Sequence, residues 1–270
     1  MSSLGTTIFK NVYRNITDDE ETNDETKPSY GVSIPTLVGV ARKVARLDGT
    51  EMDEEQFVAY EVLCCTFLLY LIKEANDPDS DLCSRLQEAI SASADSKTIE
   101  DLIKELNIRG GHDQLLMFLS GPAGAGKSTA TKVAWQFCFE FCYAVGTAWN
   151  DATFLFTAYT GAAAMGVGGL TICKAAFTMS KKKAFSEEDR RMWCQVKILI
   201  IDEISFMSDN QFNILNNRLQ EMRDQNKPFG GYSIVLLAIF VNWNPAEKSQ
   251  TSCYSQHNPV VFGNKESTLS

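Results

Sequence analysis

The chain has 270 residues, and its 44% hydrophobic content is enough for one large domain with a sizeable core. Its net charge of −9 argues against a broad basic surface for nucleic acid over the chain as a whole. There is no apolar signal segment, no apolar run of bilayer length and no framework spacing of the eight cysteines, so the sequence predicts an intracellular protein with reduced thiols.

The N-terminal part divides into two predicted regions. Residues 1–50 contain a dense acidic cluster between positions 18 and 25 and are predicted to be a mobile tail. Residues 51–113 are predicted to be a helical region with an insertion. An apolar helix is expected over 53–75, where acidic residues favour the N-terminus, and a second helix over 97–107.

A phosphate-binding loop follows, because the pattern G-x-x-x-x-G-K-[ST] is matched by Gly121, Pro122, Ala123, Gly124, Ala125, Gly126, Lys127 and Ser128. A predicted strand over 115–120 precedes it and a predicted helix over 127–146, which includes Thr129, follows it. Backbone N–H groups of the loop and the helix N-terminus would hold phosphates. Lys127 would reach the β- and γ-phosphates of ATP, and Ser128 would bind Mg²⁺. The alternative is a glycine-rich turn with a chance lysine.

A second candidate element is the apolar strand 197–201, which ends in Asp202 and Glu203. Continuous apolarity is typical of a central parallel strand, and ligands of open α/β sheets bind at the carboxyl ends of such strands. Asp202 would therefore contribute to the Mg²⁺ site, and Glu203 would orient and deprotonate the attacking water. The alternative is an acidic pair that caps the next helix.

The order of predicted elements indicates an α/β fold. Further strands are expected over 153–158 and 233–240, and a helix over 209–223. Interleaved strands and helices predict a parallel sheet flanked by helices over residues 114–238, and the loop at 121–128 makes this a P-loop NTPase fold.

The segment 157–172, TAYTGAAAMGVGGLTI, resembles motif Ia of the PIF (petite integration frequency) family of superfamily-one DNA helicases. The P-loop, the segment 201–206 and Phe-Gly-Gly at 229–231 also resemble that family's motifs. The resemblance implies an ATP-dependent DNA helicase that uses ATP and Mg²⁺ and binds single-stranded DNA, present as its first, RecA-like motor domain. It also implies roles in DNA repair, recombination or telomere maintenance, and in a eukaryote a nuclear or mitochondrial location.

The resemblance implies further site residues. Thr160 and Gly161 match positions that bind DNA phosphates, and Gly168 and Gly169 would let the DNA backbone approach. A glycine-rich loop that merely turns the chain is the alternative. Gln56 matches the glutamine of the family's Q-motif, which reads adenine; an ordinary helix-surface glutamine is the alternative. Lys181, Lys182 and Lys183 either contact phosphates or lie in a solvated loop.

The sequence departs from the family in two places. Cys173 replaces a histidine, and residues 239–245, IFVNWNP, replace the family's G-D-F-x-Q-L-x-P. Codons for D-F-R-Q-L-E-P, read one nucleotide later, encode I-F-V-N-W-N-P. We therefore expect residues 239–270 to be a divergent tail translated out of frame, with ordinary divergence as the alternative. A chain that ends before the second motor domain would bind Mg-ATP but unwind little DNA, so an ATP-binding module without helicase activity is the alternative function.

Overall fold

A computed structural model describes residues 33–49, 51–75, 86, 88–90, 92, 114–176, 185–239 and 260–261. Its helices are α1 (Leu37–Asp48), α2 (Glu54–Glu74), α3 (Lys127–Val145), α4 (Gly161–Gly166), α5 (Ile172–Ala175), α6 (Glu187–Gln195) and α7 (Asp209–Met222). Its strands are β1 (Leu116–Gly121), β2 (Phe154–Ala158), β3 (Leu170–Thr171), β4 (Ile198–Asp202), β5 (Ser233–Ile239) and β6 (Val260–Val261). The helix expected over 97–107 and the lysines at 181–183 lie outside the described residues.

A parallel sheet lies at the centre of the described part of the chain. Its strand order is β3-β2-β4-β5-β1-β6, and every pairing between neighbours is parallel. The four longer strands are apolar runs, as expected for strands that are covered on both faces. Because the strands are parallel, the carboxyl ends of β1, β2 and β4 meet at one edge. The predicted α/β fold with helices on both faces of a parallel sheet is confirmed.

Two hydrophobic cores cover the two faces of the sheet. Alternate side chains of β4 enter different cores: Ile198 and Ile200 pack with the helices α1, α2 and α3, whereas Leu199 and Ile201 pack with α5, α6 and α7. Burial on both faces holds β4 firmly, so the residues that follow it start from a fixed position.

Helix α2 packs against the P-loop helix α3. Asp53 caps it: the Asp53 side chain accepts from the N–H of Gln56, whose side chain accepts from the N–H of Asp53. By length and composition α2 could also cross a membrane, but 56% of its apolar window is buried inside the protein. Such burial favours a core helix, and the absence of a membrane-spanning segment stays a prediction.

The predicted acidic tail over 1–50 is wrong for its last part. Residues 37–48 form α1, in which Thr36 caps the N-terminus and Gly49 ends the helix with a φ of 67°. The hydroxyl of Tyr60 donates to the carbonyl of Leu37 at 2.9 Å, which fixes α1 to α2. The acidic cluster at 18–25 does not extend into this amphipathic segment, in which Leu37, Val40 and Val44 recur at helical spacing and are buried in the core.

The predicted elements of the nucleotide domain agree with the structure to within one residue at each end. The short elements α4, α5, α6 and β3 were not predicted. No element was predicted over residues 161–166, which form α4 because the Thr160 hydroxyl caps a run of alanines. A capping box between Ser186 and Asp189 begins α6, and this box is a local signal for a helix N-terminus.

Candidate active site

The phosphate-binding loop connects β1 to α3, and its glycines adopt conformations that other residues avoid. Gly124 and Gly126 have φ values of 77° and 69°. A Cβ atom on Gly126 would lie 2.3 Å from Nε2 of Gln56, so a side chain there would have to displace the Gln56 carboxamide in addition to the strain of the positive φ. Thr129, half-buried, lies in the first turn of α3. The loop therefore has the backbone that a phosphate cradle requires.

Lys127, the first residue of α3, is a buried cation. Its Nζ donates to the carbonyl oxygens of Gly121 at 3.0 Å and Pro122 at 2.8 Å. Burial lowers the pKa of Lys127, and the nearby carboxylate of Asp202 acts in the opposite direction. A desolvated ammonium group beside such a loop is suited to an anionic ligand, because pairing with the anion would offset the hydration that the ammonium group loses on burial.

Ser128 and Asp202 meet although 74 residues separate them in the sequence. The Ser128 hydroxyl donates to Oδ2 of Asp202 at 3.2 Å. The position of Asp202 follows from its place at the end of β4, where it pairs with Ala158 of β2. A hydroxyl and a carboxylate oxygen are hard ligands of the kind that Mg²⁺ prefers, so these two residues fit a magnesium site.

Glu203 directly follows β4 in an uncommon conformation. Its φ and ψ values are 57° and 35°, a left-handed region that costs a residue other than glycine roughly 1–3 kcal/mol. Its N–H donates to Oδ1 of Asp202 at 2.7 Å, and its carboxylate accepts a hydrogen bond from the Thr160 hydroxyl at 2.5 Å. Helix α7 is capped by Ser208 instead, so the alternative role of the acidic pair as a helix cap is not observed.

The four residues that were expected to contact DNA differ in their hydrogen bonds, backbone conformation and surrounding space. Thr160 accepts from the N–H of Ala163 at 3.3 Å, and space around the Cβ direction of Gly161 is open. Gly168 has a φ of 68°, and a Cβ atom on Gly169 would lie 1.9 Å from the carbonyl oxygen of Phe156. Chain geometry alone accounts for both of these later glycines, so their contact with DNA stays a prediction.

Gln56 lies against the phosphate-binding loop. Its Nε2 donates to the carbonyl of Ala125 at 3.0 Å, and its Oε1 accepts from the N–H of Asp53 at 3.2 Å. Only 8% of the residue is exposed, which does not fit an ordinary surface glutamine. The carboxamide keeps a second N–H and a second lone pair, so adenine recognition stays a prediction that the geometry permits.

The contact between Thr160 and Glu203 is the main feature of the site that sequence reasoning missed. These residues are 43 positions apart and follow the neighbouring strands β2 and β4. No local pattern encodes the contact, although two parallel strands in register bring their following residues together. Only the adjacency of β2 and β4 in the sheet predicts it.

Comparison with known proteins identifies the family. The family model of PIF1-like helicases matches residues 92–257, more than half of the chain. The ATP-dependent DNA helicase RRM3 of Saccharomyces cerevisiae is 30% identical over 155 residues, which cover 54% of this chain and 20% of RRM3. The ATP-dependent DNA helicase PIF1 of Candida albicans is 32% identical over 146 residues, which cover 49% of this chain and 15% of that protein.

Solved structures of Pif1 are also similar. Unliganded Pif1 from Bacteroides sp aligns with a TM-score of 0.39 and 23% identity over 53% of this chain and 33% of that one. Pif1 from Candida albicans aligns with a TM-score of 0.39 and 26% identity over 52% of this chain and 31% of that one. The chain spans a fifth or less of the length of these two curated relatives. On the family match over residues 92–257, the chain belongs to the PIF1-like helicase family.

Proposed function

We propose that this chain binds Mg-ATP and hydrolyses it as a motor domain of an ATP-dependent DNA helicase. The observation that carries the proposal is the 3.2 Å hydrogen bond between Ser128 and Asp202, which brings the phosphate-binding loop to the carboxylate end of β4. A glycine loop that merely turned the chain would have no reason to meet a carboxylate at the ligand-binding edge of the sheet.

Each residue of the site has a defined role in this proposal. The N–H groups of residues 121–128 and the ammonium group of Lys127 bind the phosphates. Ser128 and Asp202 hold Mg²⁺, which neutralises charge on the phosphates when it is bound. Glu203 orients the attacking water and accepts its proton. Gln56, which already contacts the loop at Ala125, recognises adenine.

Single-stranded DNA is the proposed partner. The four residues that would contact DNA lie between β2 and β3, next to the carboxyl end of β4, where hydrolysis would occur. They are Thr160, Gly161, Gly168 and Gly169. This adjacency supports a coupling between DNA binding and hydrolysis. Roles in repair, recombination or telomere maintenance, and a nuclear or mitochondrial location in a eukaryote, belong to the same proposal.

Nucleotide binding and turnover test the proposal. We expect the purified chain to bind a fluorescent ATP analogue in the presence of Mg²⁺ and to hydrolyse ATP faster when an oligo(dT) strand is added. Lys127→Ala should weaken nucleotide binding at least roughly tenfold and lower the rate of hydrolysis, since the variant loses a charge-assisted contact with phosphate. Failure of the wild-type chain to bind the nucleotide would refute the proposal.

An ATP-binding module without helicase activity is the second candidate. The observation that favours it is the sequence of residues 239–245, IFVNWNP, where the family's G-D-F-x-Q-L-x-P is expected. By the resemblance, the missing glutamine senses the γ-phosphate and couples it to DNA. Nucleotide affinity with no turnover, whether or not oligo(dT) is present, would mark this function.

A further inference from the structure

We propose that the Thr160 hydroxyl donates either to Glu203 or to the backbone of bound single-stranded DNA, so that DNA binding releases the carboxylate for hydrolysis. Thr160 would then be a positioning residue that acts through Glu203. This inference rests on the proposed function, and it names the atom, the hydroxyl oxygen of Thr160, through which DNA binding would affect the ATP site.

The first step of the argument is the hydrogen-bonding capacity of a hydroxyl group. Thr160 has one O–H proton, and this proton is donated to Oε2 of Glu203 at 2.5 Å. The Thr160 oxygen meanwhile accepts from the N–H of Ala163 at 3.3 Å. A DNA phosphate oxygen can only accept hydrogen bonds, so it would need the proton that Glu203 now uses. The two acceptors therefore exclude each other at this hydroxyl, and their negative charges add to the exclusion.

The second step is that the surrounding backbone fixes the two residues beside each other. Ala158 and Asp202 are partners in the register of β2 and β4, and the N–H of Tyr159 donates to the carbonyl of Asp202 at 3.0 Å. Thr160 and Glu203 follow directly on these two anchored strands. A change of partner at the hydroxyl can therefore be a local rotation of side chains, with no movement of the sheet.

The third step is the backbone conformation of Glu203. Among the described residues only Glu203 and Phe229 have positive φ without being glycine. Side chains at such positions are held by their surroundings, and residues of this kind cluster at switch regions and active sites. The Thr160 hydroxyl holds the Glu203 carboxylate in this orientation. Loss of the contact would let the carboxylate turn towards the nucleotide that Ser128 and Asp202 face.

The test is a double-mutant cycle on DNA affinity. Anisotropy of labelled oligo(dT) would be measured with a non-hydrolysable ATP analogue and Mg²⁺ for the wild type, Glu203→Gln, Thr160→Val and the double variant. Glu203→Gln replaces a charged acceptor by a weaker neutral one. We expect Glu203→Gln to tighten DNA binding in both backgrounds, but the factor should be at least about three times larger in the wild-type background than in the Thr160→Val background. The reason is that charge-assisted hydrogen bonds, such as the one from Thr160 to Glu203, are roughly twice as strong as neutral ones. Loss of charge alone would act equally in both backgrounds.

A second readout separates positioning from structure. Thr160→Val should raise single-turnover ATP hydrolysis without DNA and reduce the factor by which oligo(dT) stimulates it. Thr160→Ser keeps the hydroxyl and the cap of α4, and it should restore the wild-type values. If Glu203→Gln changed the DNA affinity equally in both backgrounds, and DNA still bound, the competition for the Thr160 hydroxyl would be refuted. The proposed function would remain. Absence of any DNA binding by the wild type would overturn both.

Discussion

Ser128 of the P-loop helix donates a hydrogen bond of 3.2 Å to Asp202 at the end of β4. The contact links two segments that are 74 residues apart in the chain, and the sequence patterns of both segments predict a Mg²⁺ site. Strand order explains the link: β1, which leads into the loop, and β4 are both neighbours of β5. Their carboxyl ends therefore lie at the same edge of the sheet.

Asp202→Asn tests the magnesium site. The asparagine keeps the size of the side chain but loses the charge, so we expect the Mg²⁺-dependent part of ATP-analogue affinity to fall about tenfold or more, which corresponds to roughly 1.4 kcal/mol. Binding in EDTA should change little. The measurement is a titration with and without Mg²⁺, and Asp209→Asn, at the exposed start of α7, is the matched control. An unchanged response to Mg²⁺ in Asp202→Asn would contradict the assignment.

Gly169→Ala should destabilise the fold. A Cβ atom there would lie 1.9 Å from the carbonyl oxygen of Phe156 in β2, and overpacking against backbone costs about 1–3 kcal/mol or more. Gly161→Ala, where the space around the Cβ is open, is the matched control and should be neutral or stabilising by up to about 1 kcal/mol. Urea denaturation of both variants measures the difference. Equal stability of the two variants would show that Gly169 does not approach Phe156 as described.

Tyr232 should make stability fall at alkaline pH. Burial raises the pKa of Tyr232 from 10.0 to about 12, although the guanidinium of Arg223 opposes the shift. The folded protein therefore keeps the phenol proton that the unfolded chain loses above pH 10, so its contribution to stability is present below that pH and is lost as pH rises to about 12. Between pH 7 and pH 11, the free energy of unfolding of Tyr232→Phe should therefore fall by roughly 1–3 kcal/mol less than that of the wild type. Urea denaturation at pH 7 and at pH 11 measures it, and parallel losses in both proteins would contradict the assignment.

Much of the fold and most of the site could be predicted from the sequence because their signals are local. The loop at 121–128 is a contiguous pattern, and β4 is an apolar run that ends in Asp202 and is followed by Glu203. Either signal is complete within about ten residues. The positions of Lys127, Ser128 and Asp202 then follow from the rules of parallel sheets.

Other parts of the site could not be predicted because they depend on tertiary contacts. The left-handed backbone of Glu203 and its bond to Thr160 arise from the adjacency of β2 and β4, which a single sequence does not state. Helix α4 contains two glycines in six residues, which lowers its intrinsic helix propensity. The Thr160 cap and the three alanines of the helix outweigh this effect. Burial of Gln56 against Gly126 is likewise a contact between distant segments.

The reading frame after residue 238 is open to a direct check. The family match extends to residue 257, past the position where IFVNWNP replaces the expected motif, and the out-of-frame origin of this tail stays a prediction. We expect sequencing of genomic DNA and transcript across the codons for residues 230–270 to reveal one inserted or deleted base, or a retained intron, that restores G-D-F-x-Q-L. An uninterrupted frame that encodes IFVNWNP and the residues after it would establish ordinary divergence.

Lys127 provides the most direct test of a Mg-ATP site in this chain. Isothermal titration of the wild type and of Lys127→Ala with a non-hydrolysable ATP analogue and Mg²⁺ would compare their dissociation constants. Because a hydrogen bond to a charged group is worth about 1.5–3 kcal/mol, we predict that the variant binds at least roughly tenfold more weakly. It should remain folded, as judged by urea denaturation. Saturable wild-type binding that weakens in the variant supports the account, whereas equal affinity of the two proteins, or no binding by a folded wild type, would contradict it.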